Sequence, residues 1–322
     1  MSQFKTEGLI CLIDSDSLLY ESASIFEDEV DFGTGEVLIE IDEDGAINHL
    51  NKSIEEIVTA TGCETYEMYV TGPTNFRYDV LPTYKHNRKD TKKPEMVGML
   101  KQYVLDNHPC KITNKIEADD ACTILLSRCP NKYILAHIDK DLNQVEGLHY
   151  NWRNDEIYEV SYVEGQRLFY KQVLMGDSTD GYGGCHLVGG VKADDIINGV
   201  TRKGKGDNEV VTYHKGYIGV EAFEHTFKRG KRAGEVEIRW TEVIMDDIWD
   251  AILSQYLKAN FRNGKLETHY DLEGAEVLAL QQARVARMLR NEEWVNNDVI
   301  LWSYKPLEFD LKKENNESIK EK

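Results

Sequence analysis

The chain has 322 residues, 41% hydrophobic and 30% charged, with 57 acids against 38 lysines and arginines and a formal net charge of −19 at pH 7. That length can bury a full core and form two lobes, and no stretch approaches the roughly 20 apolar residues of a membrane span. Such acidity excludes a nonspecific coat for nucleic acid. The start MSQFKTEG lacks the pattern of a secretory signal, and six cysteines without a CxxC pair fit reduced thiols in a cytoplasmic protein.

In chain order, Leu9–Asp14 reads as a buried strand that ends at Asp14-Ser15-Asp16. Val30–Ile41, broken by Gly33 and Gly35, reads as a hairpin insertion, and Ile54–Thr61 as a helix before the strand Tyr66–Thr71. A basic run between Pro82 and Pro94 precedes a helix over Glu95–Leu105. Glu117-Ala118-Asp119-Asp120 opens the helix Ala118–Ser127, and Asp139-Lys140-Asp141 follows the strand Lys132–Ile138. The helix Val163–Met175 runs into Gly176-Asp177-Ser178-Thr179-Asp180. Glycines at 181, 183, 184, 189 and 190 precede a helical pattern from Val191. The charged stretch 201–240 has room for a loose hairpin, Glu242–Tyr256 and Glu273–Asn291 read as amphipathic helices, and the tail after Phe309 is polar. Alternating strands and helices in the first half predict an α/β sheet.

The acids arrive in four clusters where elements end. Carboxylates at the carboxyl ends of buried parallel strands share one crevice, and a dense set cannot stay ionised there without cations. Hard oxygen donors select Mg²⁺ or Mn²⁺. Two such ions point to phosphoryl-ester chemistry. Taken singly, each cluster has a plain reading as a helix cap or a turn. Glu117 and Asp120, however, are i, i+3 neighbours able to share an ion.

Lys85, Arg88, Lys89, Lys92 and Lys93 face one acid, Asp90, and a second basic run holds Lys228, Arg229, Lys231 and Arg232. Local patches of this kind meet phosphates. The first run reads equally as a solvated loop or as a binding helix with Tyr84 as aromatic stacker. The 181–192 glycine loop can offer N–H groups to a phosphate or carbonyls to a monovalent cation such as K⁺.

The segments LIDSDSLLY, NFR, YKHNRKDTKKP, IEADDA, IDKDL and MGDSTDGYGG, in that order, resemble the flap endonuclease and 5′→3′ exonuclease family in its bacteriophage branch. The closing QQARVARMLRN and ILWSYKP are similar to the short-tailed-phage gene 6 type. The resemblance implies a PIN-like central parallel sheet with flanking helices over 1–175, crossed by a helical arch near 82–108. A mostly helical helix–three-turn–helix DNA-binding region over 176–306 would follow, with the insertion 201–240 and a polar tail 307–322. It implies two Mg²⁺ or Mn²⁺ ions. Asp14, Glu117, Asp119 and Asp120 would hold the first, and Asp139, Asp141, Asp177 and Asp180 would hold or support the second, with Asp16 a weaker candidate. Arg77, Lys85 and Arg88 would grip the phosphate near the scissile bond, Lys85 and Arg88 as catalytic groups. Tyr84, Lys89, Lys92, Lys93, Gly189, Gly190 and Lys192 would complete the DNA contacts. The implied activity is 5′→3′ hydrolysis at double-stranded DNA ends, extending to 5′ flaps and RNA–DNA hybrids. It would be carried out by a monomer in the host cytoplasm during phage DNA replication, recombination or host DNA degradation.

Two departures stand out. Gly72 occupies the place where the family often has an aspartate after its second strand, so Gly72→Asp is expected to strengthen the first metal site. Val188-Gly189-Gly190-Val191-Lys192 also departs from the usual Gly-Val/Ile-Gly-x-Lys turn. The rivals are a haloacid-dehalogenase-like phosphatase with Asp14 as covalent nucleophile, and a catalytically inactive DNA-binding relative.

Overall fold

A computed structural model describes residues 4–306, apart from 32, 34–36, 90, 91, 186, 205 and 262–271. Gly35, Asp90 and the tail 307–322 therefore lie outside the described residues. Two compact units result. The first comprises Met1–Asp79, Asn87–Gln166 and Met288–Leu301, and the second Val80–His86, Arg167–Arg287 and Trp302–Lys322.

The first unit is built on strands β1 (Ile10–Asp14), β4 (Thr65–Val70), β5 (Cys110–Ile112), β6 (Tyr133–Ala136), β7 (Gly147–Asn151) and β8 (Glu156–Val160). They form one sheet in the order β5-β4-β1-β6-β7-β8, parallel throughout except for the antiparallel edge pair β7–β8. In β1, Cys11, Leu12 and Ile13 are fully buried, as expected of a strand covered on both faces. A side hairpin, β2 (Glu27–Asp31) with β3 (Val37–Ile41), occupies the stretch read as an insertion.

Helices α1 (Ser15–Ile25), α2 (Glu43–Thr61), α4 (Val97–Asn107) and α5 (Ala118–Arg128) cover the sheet, and a single turn, α3 (Arg77–Val80), follows β4. Leu18, Leu19, Leu50, Ile54, Ile57, Leu100 and Val104 pack with Ile13, Met68 and Val70 in one core. Because β1 pairs with β4 on one side and β6 on the other, the ends of these three strands open on the crevice where the strand order reverses. Asp14 ends β1, Gly72 follows β4 and Asp139 follows β6.

Helix α6 (Tyr162–Met175), which belongs to the second unit from Arg167 on, is followed by α7 (Gly190–Asn198). Two hairpins follow, β9 (Val200–Lys203) with β10 (Val210–Tyr213), then β11 (Tyr217–Thr226) with β12 (Val236–Met245). Helices α8 (Ile248–Phe261) and α9 (Leu272–Ala286) complete it. Among the described residues, no helix is long and apolar enough to cross a membrane.

Among its described residues, the basic run is not the continuous helix read as one alternative for the arch. There, residues 82–85 and 89 are turns and His86–Arg88 make a short 3-10 turn, and a regular helix begins at Val97.

Candidate functional site

Asp14 is the last residue of β1 and the N-cap of α1, yet it makes no capping bond. Its side chain is 1% exposed, and neither carboxylate oxygen has a hydrogen-bond partner of normal geometry. Burial raises its pKa to about 6 and the charges of Asp16 and Asp139 push the same way, while the nearby Ser17 hydroxyl and amide oppose the shift. A buried carboxylate in this state is costly unless a positive charge joins it.

In the first turn of α1, Asp16 accepts the Thr71 N–H on both oxygens, at 3.3 and 3.2 Å. Burial pushes its pKa up; Lys101 opposes the shift and Glu117 adds to it. The Thr71 carbonyl accepts from Lys101 Nζ, and its hydroxyl accepts the Ala118 N–H at 2.9 Å. Thr71 thus ties α1, α4 and the start of α5 together. Asp16, weighed as the weaker candidate from sequence, lies beside Asp14 and Glu117 in charge interaction.

The next residue explains the missing aspartate. Gly72 N–H donates to Thr113 Oγ1 at 3.1 Å, and a Cβ placed on Gly72 would stand 1.9 Å from the Thr113 carbonyl oxygen. No side chain fits at this position while β4 and the chain after β5 keep their separation. The expectation that Gly72→Asp would simply restore a ligand is therefore corrected on steric grounds.

Glu117 and Asp120 form a capping box at the start of α5, where Asp120 Oδ2 accepts the Glu117 N–H at 3.1 Å. Asp120 also takes two parallel bonds from Arg77, at 2.6 and 2.9 Å, and the Leu289 N–H at 3.2 Å. Its lone pairs are committed inside the protein, a use different from ligation. Arg77 is 0% exposed and also lies 3.5 Å from Glu117 Oε2. The expectation that Arg77 grips phosphate is corrected: it is an internal counter-ion that organises the acidic helix start.

Asp139 caps the short turn Lys140–Gln144 by accepting the Asp141 N–H at 2.9 Å. Behind it, His137 Nδ1 lies 2.6 Å from the Asp139 carbonyl and His137 Nε2 lies 2.9 Å from His149 Nδ1. Burial lowers the His137 pKa to about 4 and the His149 pKa to about 3, so both rings are neutral near pH 7. Asp119 and Asp141 are partly exposed on the same unit.

Asp177 and Asp180 belong to the second unit. Asp177 Oδ1 accepts the Thr179 and Asp180 N–H groups at 2.6 and 3.3 Å, closing a turn. Asp180 accepts the Tyr84 hydroxyl at 2.9 Å and stands 3.9 Å from Lys85 Nζ. Tyr84 is only 2% exposed, so its expected stacking on a nucleotide is corrected: its ring is packed inside and its hydroxyl is taken. Lys85 adopts φ +52° and donates its N–H to the Asp180 carbonyl at 2.8 Å. Gly176 and Gly184 meet backbone to backbone in the same turn, where neither has room for a Cβ. Gly189 caps α7, Gly190 starts it, and Lys192 pairs with Glu242. In the first unit, Arg88, Lys89, Lys92 and Lys93 are exposed, and Lys92 pairs with Glu29.

Among the described residues, no three His, Cys, Asp or Glu side chains are already disposed as a ligand set. The fit to a cation rests instead on donor chemistry. The Asp14 oxygens are buried and uncommitted, and Asp16 and Asp139 press further negative charge on them. An all-carboxylate surround of this kind suits a hard divalent ion.

No protein-family model matches the chain. In sequence it is similar to the exodeoxyribonuclease of Enterobacteria phage T3, 26% identical over 250 residues, 72% of this chain and 71% of that protein. Among solved structures it is similar to the T5 D15 protein co-crystallised with metal ions, with TM-score 0.44, 15% identity and coverage of 58% and 73% of the two chains. It is also similar to the catalytic core of Rad2 in complex with DNA, with TM-score 0.38, 12% identity and coverage of 59% and 61%. The similarity in sequence to a phage exodeoxyribonuclease agrees with the resemblance that the ordered motifs carry.

Proposed function

We propose that the chain is a divalent-metal-dependent 5′→3′ nuclease that hydrolyses duplex DNA from its ends, cuts 5′ flaps and the RNA of hybrids, and releases 5′-phosphorylated products. The observation that carries this reading is Asp14, a carboxylate buried at the end of the central strand with both oxygens uncommitted. Asp14, Asp16, Glu117, Asp119, Asp139 and Asp141 are the residues of the first unit that would hold Mg²⁺ or Mn²⁺. Bound ions of this class lower the pKa of water and stabilise charge on attacking and leaving oxygens.

The protein's own groups do the rest. Thr71 holds Asp16 and the start of α5 in register, and the Arg77–Asp120 pair fixes the helix end that presents Glu117 and Asp119. In the same unit Arg88, Lys89 and Lys93 supply positive charge for backbone phosphates, which carry no sequence information. End structure, rather than base sequence, would then select the substrate. The role follows as removal of DNA strands during phage replication or recombination.

The phosphatase alternative would use Asp14 as a covalent nucleophile, and it has no use for the Glu117–Asp120 cluster or for the basic 85–93 run.

Product analysis on a 5′-labelled DNA duplex tests the reading. Short 5′-phosphorylated products that require Mg²⁺ and vanish with chelator support it. Turnover of p-nitrophenyl phosphate through a phosphorylated Asp14, with DNA left intact, overturns it.

A further inference from the structure

The second basic run, Lys228–Arg232, takes no part in the site described above. It sits at the tip of the β11–β12 ribbon, which pairs over ten rungs from Tyr217↔Met245 to Thr226↔Val236. Among the described residues, the ribbon is anchored at its Tyr217 end. Tyr217–Val220 are buried, with the Val220 N–H bonded to Ser254 Oγ at 2.9 Å and the Ile218 carbonyl accepting from Gln255 at 3.2 Å. The remaining rungs of β11, Glu221–Thr226, are largely exposed. Six residues of strand carry the tip about 20 Å beyond its anchor at roughly 3.4 Å each.

The tip is well braced. Phe227 and Glu235 pair by backbone, the Gly234 N–H returns to the Phe227 carbonyl at 2.8 Å, and the Ala233 N–H bonds the Gly230 carbonyl at 3.1 Å. Gly230 and Gly234 take φ of +83° and +90°, which these turns require. The guanidiniums of Arg232 and Arg239 lie over the Phe227 ring, at 3.9 and 5.3 Å. Arg232 is further held by Glu235 and Glu237. In contrast, Lys228, Arg229 and Lys231 are exposed and make no ion pair among the described residues. Three uncommitted cations at the end of a narrow ribbon are unusual in a chain of net charge −19. Along the stem, Glu237 and Glu242 are paired with Arg232, Arg239 and Lys192, and Glu221 and Glu224 are exposed, so the unpaired positive charge of the ribbon is gathered at its tip.

We infer that the tip Phe227–Gly234 is a second nucleic-acid contact, in which Lys228, Arg229 and Lys231 engage backbone phosphates flanking a groove of duplex DNA. A two-stranded ribbon is narrow enough for the major groove. The inference rests on the nuclease reading above, and it adds a contact that anchors the duplex independently of the acidic site.

The test is the salt dependence of binding to a blunt DNA duplex a few helical turns long, in Ca²⁺, with the full chain. Three proteins are compared with wild type: K228Q/R229Q/K231Q, the charge-keeping K228R/K231R, and the control K5Q/K52Q/K132Q, which removes as much charge elsewhere. The tip triple variant should flatten the slope of log affinity against log salt by about 0.9 per lost phosphate contact, about 2 to 3 in all. The charge-keeping variant should hold the wild-type slope. Equal slopes for the tip and control triples overturn the inference while leaving the nuclease reading intact. Wild type that neither binds nor cleaves duplex overturns the nuclease reading itself. Loss of binding to phosphatidylserine vesicles by the tip triple, with duplex binding unchanged, makes the tip a membrane contact and likewise overturns the inference.

Discussion

Arg77 and Asp120 are joined inside the first unit by two parallel hydrogen bonds of 2.6 and 2.9 Å, with both side chains fully buried. Sequence reading assigned one to DNA and the other to metal. Their mutual satisfaction places both in the framework that orients the acids.

Removing one partner leaves the other charge buried without compensation, a loss typically of about 3–5 kcal/mol. Arg77→Ala should therefore lower stability in urea unfolding by about that amount. Asp120→Asn should also destabilise the fold, because amide cannot serve Arg77, Glu117 and Leu289 together. Normal stability with weakened DNA binding in Arg77→Ala would return Arg77 to the phosphate-gripping role.

Gly72→Ala should destabilise by about 1–3 kcal/mol, the usual range for overpacking a tight contact, because its Cβ would meet the Thr113 carbonyl oxygen at 1.9 Å. Gly72→Asp should be no more stable than Gly72→Ala and should not reduce the Mg²⁺ needed for half-maximal cleavage. A reduced Mg²⁺ requirement in a stable Gly72→Asp protein would contradict this account.

Much of the sheet was legible because β1, β4 and β6 are apolar runs that end at polar turns, the ordinary signature of buried parallel strands. Helix α1 was not. Its sequence SDSLLYESASI turns serines inward: Ser22 Oγ bonds His49 Nδ1 at 3.1 Å and Ser15 Oγ donates to the Ile13 carbonyl at 3.2 Å. No apolar period records those bonds. The acids were legible as clusters, but their division of labour was not. Asp14 and Asp120 look alike in sequence, and only tertiary partners leave one uncommitted and the other satisfied four ways. The same holds for Tyr84, which helical spacing with Lys85 and Arg88 suggested as a stacker and packing made a buried donor.

Tyr84→Phe removes the hydroxyl that Asp180 accepts and should cost about 0.5–1.5 kcal/mol of stability, the net value of one hydrogen bond. Affinity for single-stranded DNA should be unaltered. A large loss of single-strand affinity with unchanged thermal stability would show that the ring meets a base after all.

His149 gives the fold an acid-sensitive element. Burial holds its pKa near 3, with His137 adding in the same direction, so the folded ring is neutral where the unfolded one, near 6.5, begins to protonate. The unfolded state then binds more protons, and stability falls as pH drops below about 6.5 toward the folded value. The loss is at most about 1.4 kcal/mol per pH unit for this group. Unfolding free energies between pH 7.5 and 5 should decline less steeply for His149→Gln than for wild type. Parallel curves would show that His149 does not set this dependence.

The central claim is that the uncommitted Asp14 carboxylate awaits a divalent cation, and Mn²⁺ binding to the full chain tests it most directly. Electron paramagnetic resonance titration should show bound Mn²⁺ in wild type, displaced by Mg²⁺, and strongly weakened binding in Asp14→Asn of unchanged fold. Equal Mn²⁺ affinity in wild type and Asp14→Asn would contradict it.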